Sequence, residues 1–168
     1  MTDRREVERE IEGLVSALGK ALGAQGTRLA VAESCTGGMI CTAIVSDPQV
    51  SGALERGFIV YSLDSKCELL DLDRAEVESC EGVSRDVSLG MAKAALERSH
   101  ADLALSVTGF AGPQQDDEEV GLVHIALARD GAEPLHEVHH YGDLGREAVC
   151  NRAVVSALRM LVAEAAKA

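Results

Sequence analysis

Apolar side chains at Val7, Ile11, Leu14, Val15, Leu18 and Leu22 repeat at the spacing of one helical face, and Gly23 and Gly26 predict where that helix stops. The period then changes. RLAVAE is short and β-prone and ends at Ser34, where SCTGG leads into the apolar run MICTAIV. Strand, glycine-containing turn and helix in that order put backbone N–H groups and a helix N-terminus at the strand's carboxyl end. Asp47-Pro48 breaks the second helix, GFIVYS predicts a second strand, and a short helical piece begins near Asp64 and carries Lys66. The polar stretch from Asp71 to Gly82 predicts a helical turn and a connection. Ser84 has the character of an N-cap, with Asp86 in the first turn of a helix running to about Ser99.

DLALSVTG is nearly continuous in apolar residues, the pattern of a strand buried on both faces. After GFAGP and the acidic loop QQDDEE, VGLVHIALA and PLHEVHHY flank Asp130-Gly131. An Asp-Gly pair supplies the positive φ angles of a tight hairpin turn, and Pro134 places the second hairpin strand at a sheet edge. A last helix runs from about Gly145, with Val149, Ala153, Leu158, Leu161 and Val162 as its apolar positions. These elements predict one α/β domain over residues 1–168. Its form is a three-layer fold with a mixed, mostly parallel sheet, a C-terminal β-hairpin and flanking helices.

Composition narrows the function. The chain has 168 residues, 28 acidic against 16 basic, for a formal net charge of −12. That balance argues against a nucleic-acid polymer or an anionic membrane as partner, because both attract clustered Lys and Arg. Aromatic residues are only 2%, so the core must be aliphatic. The N-terminus MTDRREVERE alternates charges where a signal peptide needs an apolar stretch, and no run approaches the ~18 apolar residues of a membrane span. A cytoplasmic protein is expected. Five cysteines, Cys35, Cys41, Cys67, Cys80 and Cys150, without a C-x-x-C, suggest reduced thiols rather than disulfides or zinc.

Three predicted strand ends coincide with polar or glycine-rich sequence: Ser34 to Gly38, Tyr61-Ser62, and Thr108 to Pro113. In open α/β sheets ligands bind beyond the carboxyl ends of the strands, so these segments are candidates for one shared site, although each is equally readable as a plain turn. Ser34, beside free N–H donors, is the most suggestive position, but a serine hydroxyl needs a base. His100 ends a helix, and His124, His136, His139 and His140 fall in or near the hairpin, where a strand alternates its side chains between faces. Lysine is the other base available, and Lys66 follows the second strand end. To act near neutrality its pKa must fall to about 7–8, through desolvation or a nearby cation such as Arg146. On spacing alone, a solvated surface lysine is the simpler reading. The run Asp116 to Glu119 lacks the alternating ligands and glycine of a calcium loop and reads as solvated, so no metal site is expected. Cys35 ranks below Ser34 as a nucleophile.

With AESCTGG, ERGFIVYS followed by Lys66, SVTGFAGP, VGLVHIALA and YGDLGRE in order, the chain resembles the CinA C-terminal-domain family from about Leu29 to Leu161. Stand-alone members of that family are nicotinamide-nucleotide amidases, which hydrolyse the carboxamide of nicotinamide mononucleotide to nicotinate mononucleotide and ammonia. The resemblance assigns catalytic positions to Ser34, Ser51, Tyr61 and Lys66, and substrate contacts to Thr108 and Arg146. The neighbouring Thr36, Gly37, Gly38, Gly109 and Gly112 complete the expected binding segments. Departures from the family pattern are Gln49 and Val50 before Ser51, Leu63 after the Tyr-Ser pair, Gln114 and Gln115 after GFAGP, and Cys150 for an arginine. They bear on substrate affinity more than on chemistry.

The implied mechanism has a serine nucleophile and Lys66 as base. Ser34 is slightly favoured, with Ser51 the alternative and Ser34 its proton relay. Tyr61 would orient Lys66, Thr108 and the GFAGP backbone would hold the nucleotide, and Arg146 its phosphate. Neither a metal nor an organic cofactor is needed. The expected partner is a small-molecule nucleotide substrate, with a homo-oligomer as a further expectation. The rival reading is a non-catalytic nucleotide-binding or regulatory module of the competence- or damage-inducible type.

Overall fold

The computed structural model describes residues 4–23 and 26–167. The amphipathic stripe forms α1 (Arg4–Leu22), burying Val15, Leu18 and Leu22. It leads to β1 (Leu29–Glu33), followed by α2 (Met39–Ser46), a 3-10 turn (Ser51–Ala53) and β2 (Leu54–Ile59). Next come α3 (Leu63–Leu70), α4 (Arg74–Ser79) and α5 (Arg85–Glu97). The chain continues through β3 (Leu103–Gly109), β4 (Leu122–Arg129), β5 (Leu135–His140) and α6 (Arg146–Ala165). The cap expected at Ser84 is present, its hydroxyl accepting the Val87 N–H at 3.1 Å.

The five strands lie in the order β2-β1-β3-β4-β5. β2, β1 and β3 are parallel neighbours, whereas β4 and β5 are antiparallel additions beside β3. Alternation along β1, β3 and β4 sends Leu29, Val31, Leu103, Leu105, Ile125 and Leu127 to the face covered by α1, α2 and α6. Ala30, Ala32 and Ala104 point to the other face, beneath α3, α4 and α5. The result is the expected three-layer domain. Small residues on the α5 face let that helix pack closely, with Ala92 against Ala126 and Ala128. No helix among the described residues is long and apolar enough to cross a membrane.

Two local expectations are corrected. The second strand begins three residues earlier than GFIVYS, at Leu54, and ends at Ile59, because its register is set by pairing with β1. The hairpin turn is not tight: five residues, 130–134, separate β4 from β5, and only Gly131 of the Asp-Gly pair takes a positive φ, at 71°. A two-residue turn of the favoured type needs that conformation at both positions. β5 does form an edge, with Leu135 and Val138 exposed.

Candidate active site

The parallel strands end side by side, and the two chemistry-bearing side chains meet there. Ser34 follows β1 directly, its N–H extending the ladder to the Val107 carbonyl at 3.0 Å. Lys66 lies one turn into α3, whose N-cap Ser62 accepts the Ser65 N–H. A long side chain at that position runs back toward the helix N-terminus, here over the end of β2. Its Nζ donates to Ser34 Oγ at 2.9 Å and to the Val60 carbonyl at 2.9 Å.

Lys66 is 2% exposed, so the surface-lysine reading is overturned. Burial drives its pKa down from 10.5 to about 8. Of the two sources expected, desolvation supplies the shift, and Arg146 is not among the groups that lower it. Among the described residues no carboxylate pairs with the ammonium. The stem is covered by Gly82, where a Cβ would meet Lys66 Cε at 3.1 Å and Cδ at 3.2 Å while φ is 72°. A side chain there would be strained and would push against the Lys66 stem. Gly82 is held in turn by Thr108, whose hydroxyl donates to its carbonyl at 2.7 Å. Thr108 thus fixes the cover over Lys66, a task different from the nucleotide contact expected of it.

The turn after Ser34 is organised by Glu33, which sequence reasoning missed. Glu33 is fully buried, and its carboxylate accepts from the Thr36 hydroxyl at 2.6 Å and the N–H groups of Gly38, Ile40 and Cys41 at 3.1, 3.1 and 2.8 Å. The carboxylate therefore occupies the N-terminus of α2, where the unpaired amides of a helix start favour an anion. Thr36 and Gly38 are committed to Glu33, and Gly37 donates to the Ser34 carbonyl at 3.0 Å. The amides of Cys35 and Thr36 are in the same turn and have no carbonyl acceptor among the turn and loop hydrogen bonds of the described residues. Both belong to the turn that carries Ser34. An acid in an otherwise apolar strand, just before a glycine turn, was the available signal for Glu33.

Arg146 opens α6 and donates to the Gly112 carbonyl at 2.5 Å and to the Tyr61 hydroxyl, with its guanidinium 6.0 Å from the Tyr61 ring centre. Tyr61 is exposed and bonded to Arg146, so the role of orienting Lys66 falls to the Val60 carbonyl instead. Gly109 serves packing: a Cβ there would lie 2.5 Å from the Leu122 carbonyl oxygen, too close for any other residue. Ser51 is not brought to the site. It sits before β2, at the amino end of the parallel strands, and its hydroxyl donates to the Pro48 carbonyl at 3.4 Å.

Burial pushes the Cys35 thiol up to about 12, which removes it as a thiolate nucleophile. Cys150 points inward, its thiol 3.3 Å from the Cys35 carbonyl. The described residues contain no group of three or more His, Cys, Asp or Glu placed to hold a metal. A cavity of about 930 Å³ between α1 and α6 reaches the site only at Arg146.

The CinA C-terminal domain model matches residues 11–165. A putative competence-damage inducible protein of Caldicellulosiruptor saccharolyticus is 37% identical over 141 residues, covering 82% of this chain and 34% of that protein. A CinA-like protein of Chlorobium limicola is 41% identical over 117 residues, 68% of this chain and 27% of that protein. This chain thus spans about a third of the length of these curated relatives. The competence/damage inducible protein CihA of Agrobacterium tumefaciens superposes with a TM-score of 0.87 at 37% identity, over 92% of this chain and 94% of that one. A CinA superfamily structure from Escherichia coli gives 0.83 at 33% identity, over 90% and 88%. With the match extending from the first helix to the last, the chain belongs to the CinA C-terminal domain family.

Proposed function

We propose that the chain is an amidohydrolase that removes the carboxamide nitrogen of nicotinamide mononucleotide, giving nicotinate mononucleotide and ammonia. The nucleotide substrate follows from the family resemblance. The chemistry rests on one observation: a lysine buried without a carboxylate partner, 2.9 Å from a serine hydroxyl at a strand-to-helix turn.

Neutral Lys66 takes the Ser34 proton as Oγ attacks the amide carbon. The amides of Cys35 and Thr36 stabilise the oxyanion. The Lys66 ammonium then protonates the departing nitrogen, the C–N bond breaks, and ammonia leaves an ester on Ser34. Water, deprotonated by Lys66, cleaves that ester and returns the proton to Ser34. Arg146, exposed at the mouth, is the partner for the phosphate.

Ammonia release from nicotinamide mononucleotide tests the scheme. The wild type turns over, and Ser34→Ala and Lys66→Ala each lose about 10³-fold or more. Ser51→Ala stays within about threefold, since Ser51 is at the other end of the strands. A loss equal to that of Ser34→Ala would mean that Ser51 enters the site from another copy. Binding without ammonia release in the wild type would favour a nucleotide-binding module.

A further inference from the structure

The hairpin holds a pair of side chains that amide hydrolysis at Ser34 does not use. Ala126 lies opposite His136 and His124 opposite Val138, so the two histidines are diagonal neighbours on one face of the sheet. Alternation along a single strand separates histidines, but pairing across two strands joins these. His124 Nδ1 lies 2.9 Å from His136 Nε2, with ring centres 5.2 Å apart and planes 29° from parallel. Both rings are half-buried. Their pKa values are held below the ordinary histidine value chiefly by burial, which leaves them neutral and able to offer lone pairs at neutral pH.

We propose that His124 and His136 form a binding site for a nitrogen-preferring divalent transition metal of the Zn²⁺, Ni²⁺ or Cu²⁺ class, with water in the remaining positions. In the hydrogen-bonded pair one ring donates and the other accepts. Moving the donor's proton to its outer nitrogen frees both inner lone pairs, with no net proton release. Two metal–nitrogen bonds of about 2.1 Å at a tetrahedral angle put the nitrogens about 3.4 Å apart and the ring centres about 5.3 Å apart. The ring centres are already at 5.2 Å, so the rings need to tilt rather than move apart. Arg85, at the start of α5, is the strongest charge acting on His136 and opposes a cation there, while Asp86 in the first turn of that helix and Glu137 on β5 favour one. Hard, oxygen-preferring Mg²⁺ and Ca²⁺ have too few ligands at this place.

Calorimetric titration with NiCl₂, alongside NMR of the imidazole ring signals, tests the site on the full chain. One equivalent is expected to bind, broadening His124 and His136 before His100, His139 and His140. His124→Asn and His136→Asn should each weaken binding about tenfold or more, because a single imidazole is a poor chelator. Both variants should release ammonia and melt as the wild type does in metal-free buffer. Absence of binding up to about 1 mM Ni²⁺, well above the range of functional sites, would overturn the proposal. So would binding that survives His136→Asn, which would place the metal elsewhere, as at His139 with Glu137 or His140 with Glu119.

Discussion

Two buried ionisable side chains serve the segment around Ser34, Glu33 by bracing its turn and Lys66 by touching its hydroxyl, and they are treated oppositely. The Glu33 carboxylate has four donors, among them the amide of the N-cap Gly38 and the first-turn amides of Ile40 and Cys41, and its hydrogen-bonding capacity is filled from within the span 33–41. Lys66 has two acceptors, one of them Ser34, and no opposite charge paired with it among the described residues. Low dielectric strengthens a satisfied group and penalises a deprived one. Burial therefore makes Glu33 a fixed part of the framework, whereas it pushes Lys66 toward its neutral, proton-accepting form. The same physical term yields a structural residue in one case and a reactive one in the other.

The contrast breaks most severely at Lys66. Lys66→Met should lower kcat by about 10³-fold or more, as expected for loss of a general base. It should also stabilise the fold at pH 7 by about 1–3 kcal/mol, because the ammonium no longer has to be desolvated. The folded pKa is about 8 against 10.5 in the free side chain, so the penalty is full below pH 8 and fades as pH rises toward 10.5. Urea melts at pH 7 and pH 10 should show the advantage of Met shrinking. In the wild type, kcat/KM should rise with pH and level off above about 8, as the base loses its proton. A flat profile would remove Lys66 from the chemistry.

Glu33→Gln tests the other half of the comparison. An amide keeps one acceptor oxygen and turns an NH₂ group toward donors, costing about 3–4 kcal/mol in urea denaturation. Because the loosened turn carries Ser34, kcat should fall about 10- to 100-fold with KM little changed. Equal losses in binding and turnover would instead make Glu33 part of the substrate pocket. The mildest change is at the rim. Arg146→Ala should raise KM for the nucleotide about tenfold and leave kcat within a few-fold, since Arg146 touches neither Ser34 nor Lys66.

Much of the layout is legible along the chain because it is local. The α1 stripe, the cap at Ser84, the buried run of β3 and the turn from β1 into α2 each follow from a few adjacent residues. Ser34 and Lys66 were legible as types of residue at strand ends. The burial of Lys66 was not, because it depends on Gly82 and Thr108, distant in sequence and brought over the lysine by packing. Glu33 was hidden for the opposite reason: an acid at a strand terminus looks solvated until α2 folds back on it. Ser51 shows the limit of motif transfer, since a matching residue in the chain need not share an end of the sheet with its partners. The His124–His136 pair was invisible to reasoning on one strand at a time, as its contact exists only in the β4–β5 register.

The capping of α2 by Glu33 has a consequence for hydrogen exchange. Amides in the first turn of a helix ordinarily lack an intrahelical acceptor and exchange readily with solvent. Those of Ile40 and Cys41, together with the amide of the N-cap Gly38, are bound to a carboxylate that is itself sealed from water. They can exchange only when the Glu33 turn opens, and that opening also releases the segment carrying Ser34. The exchange rate of these three amides thus becomes a clock for how often Ser34 leaves its place.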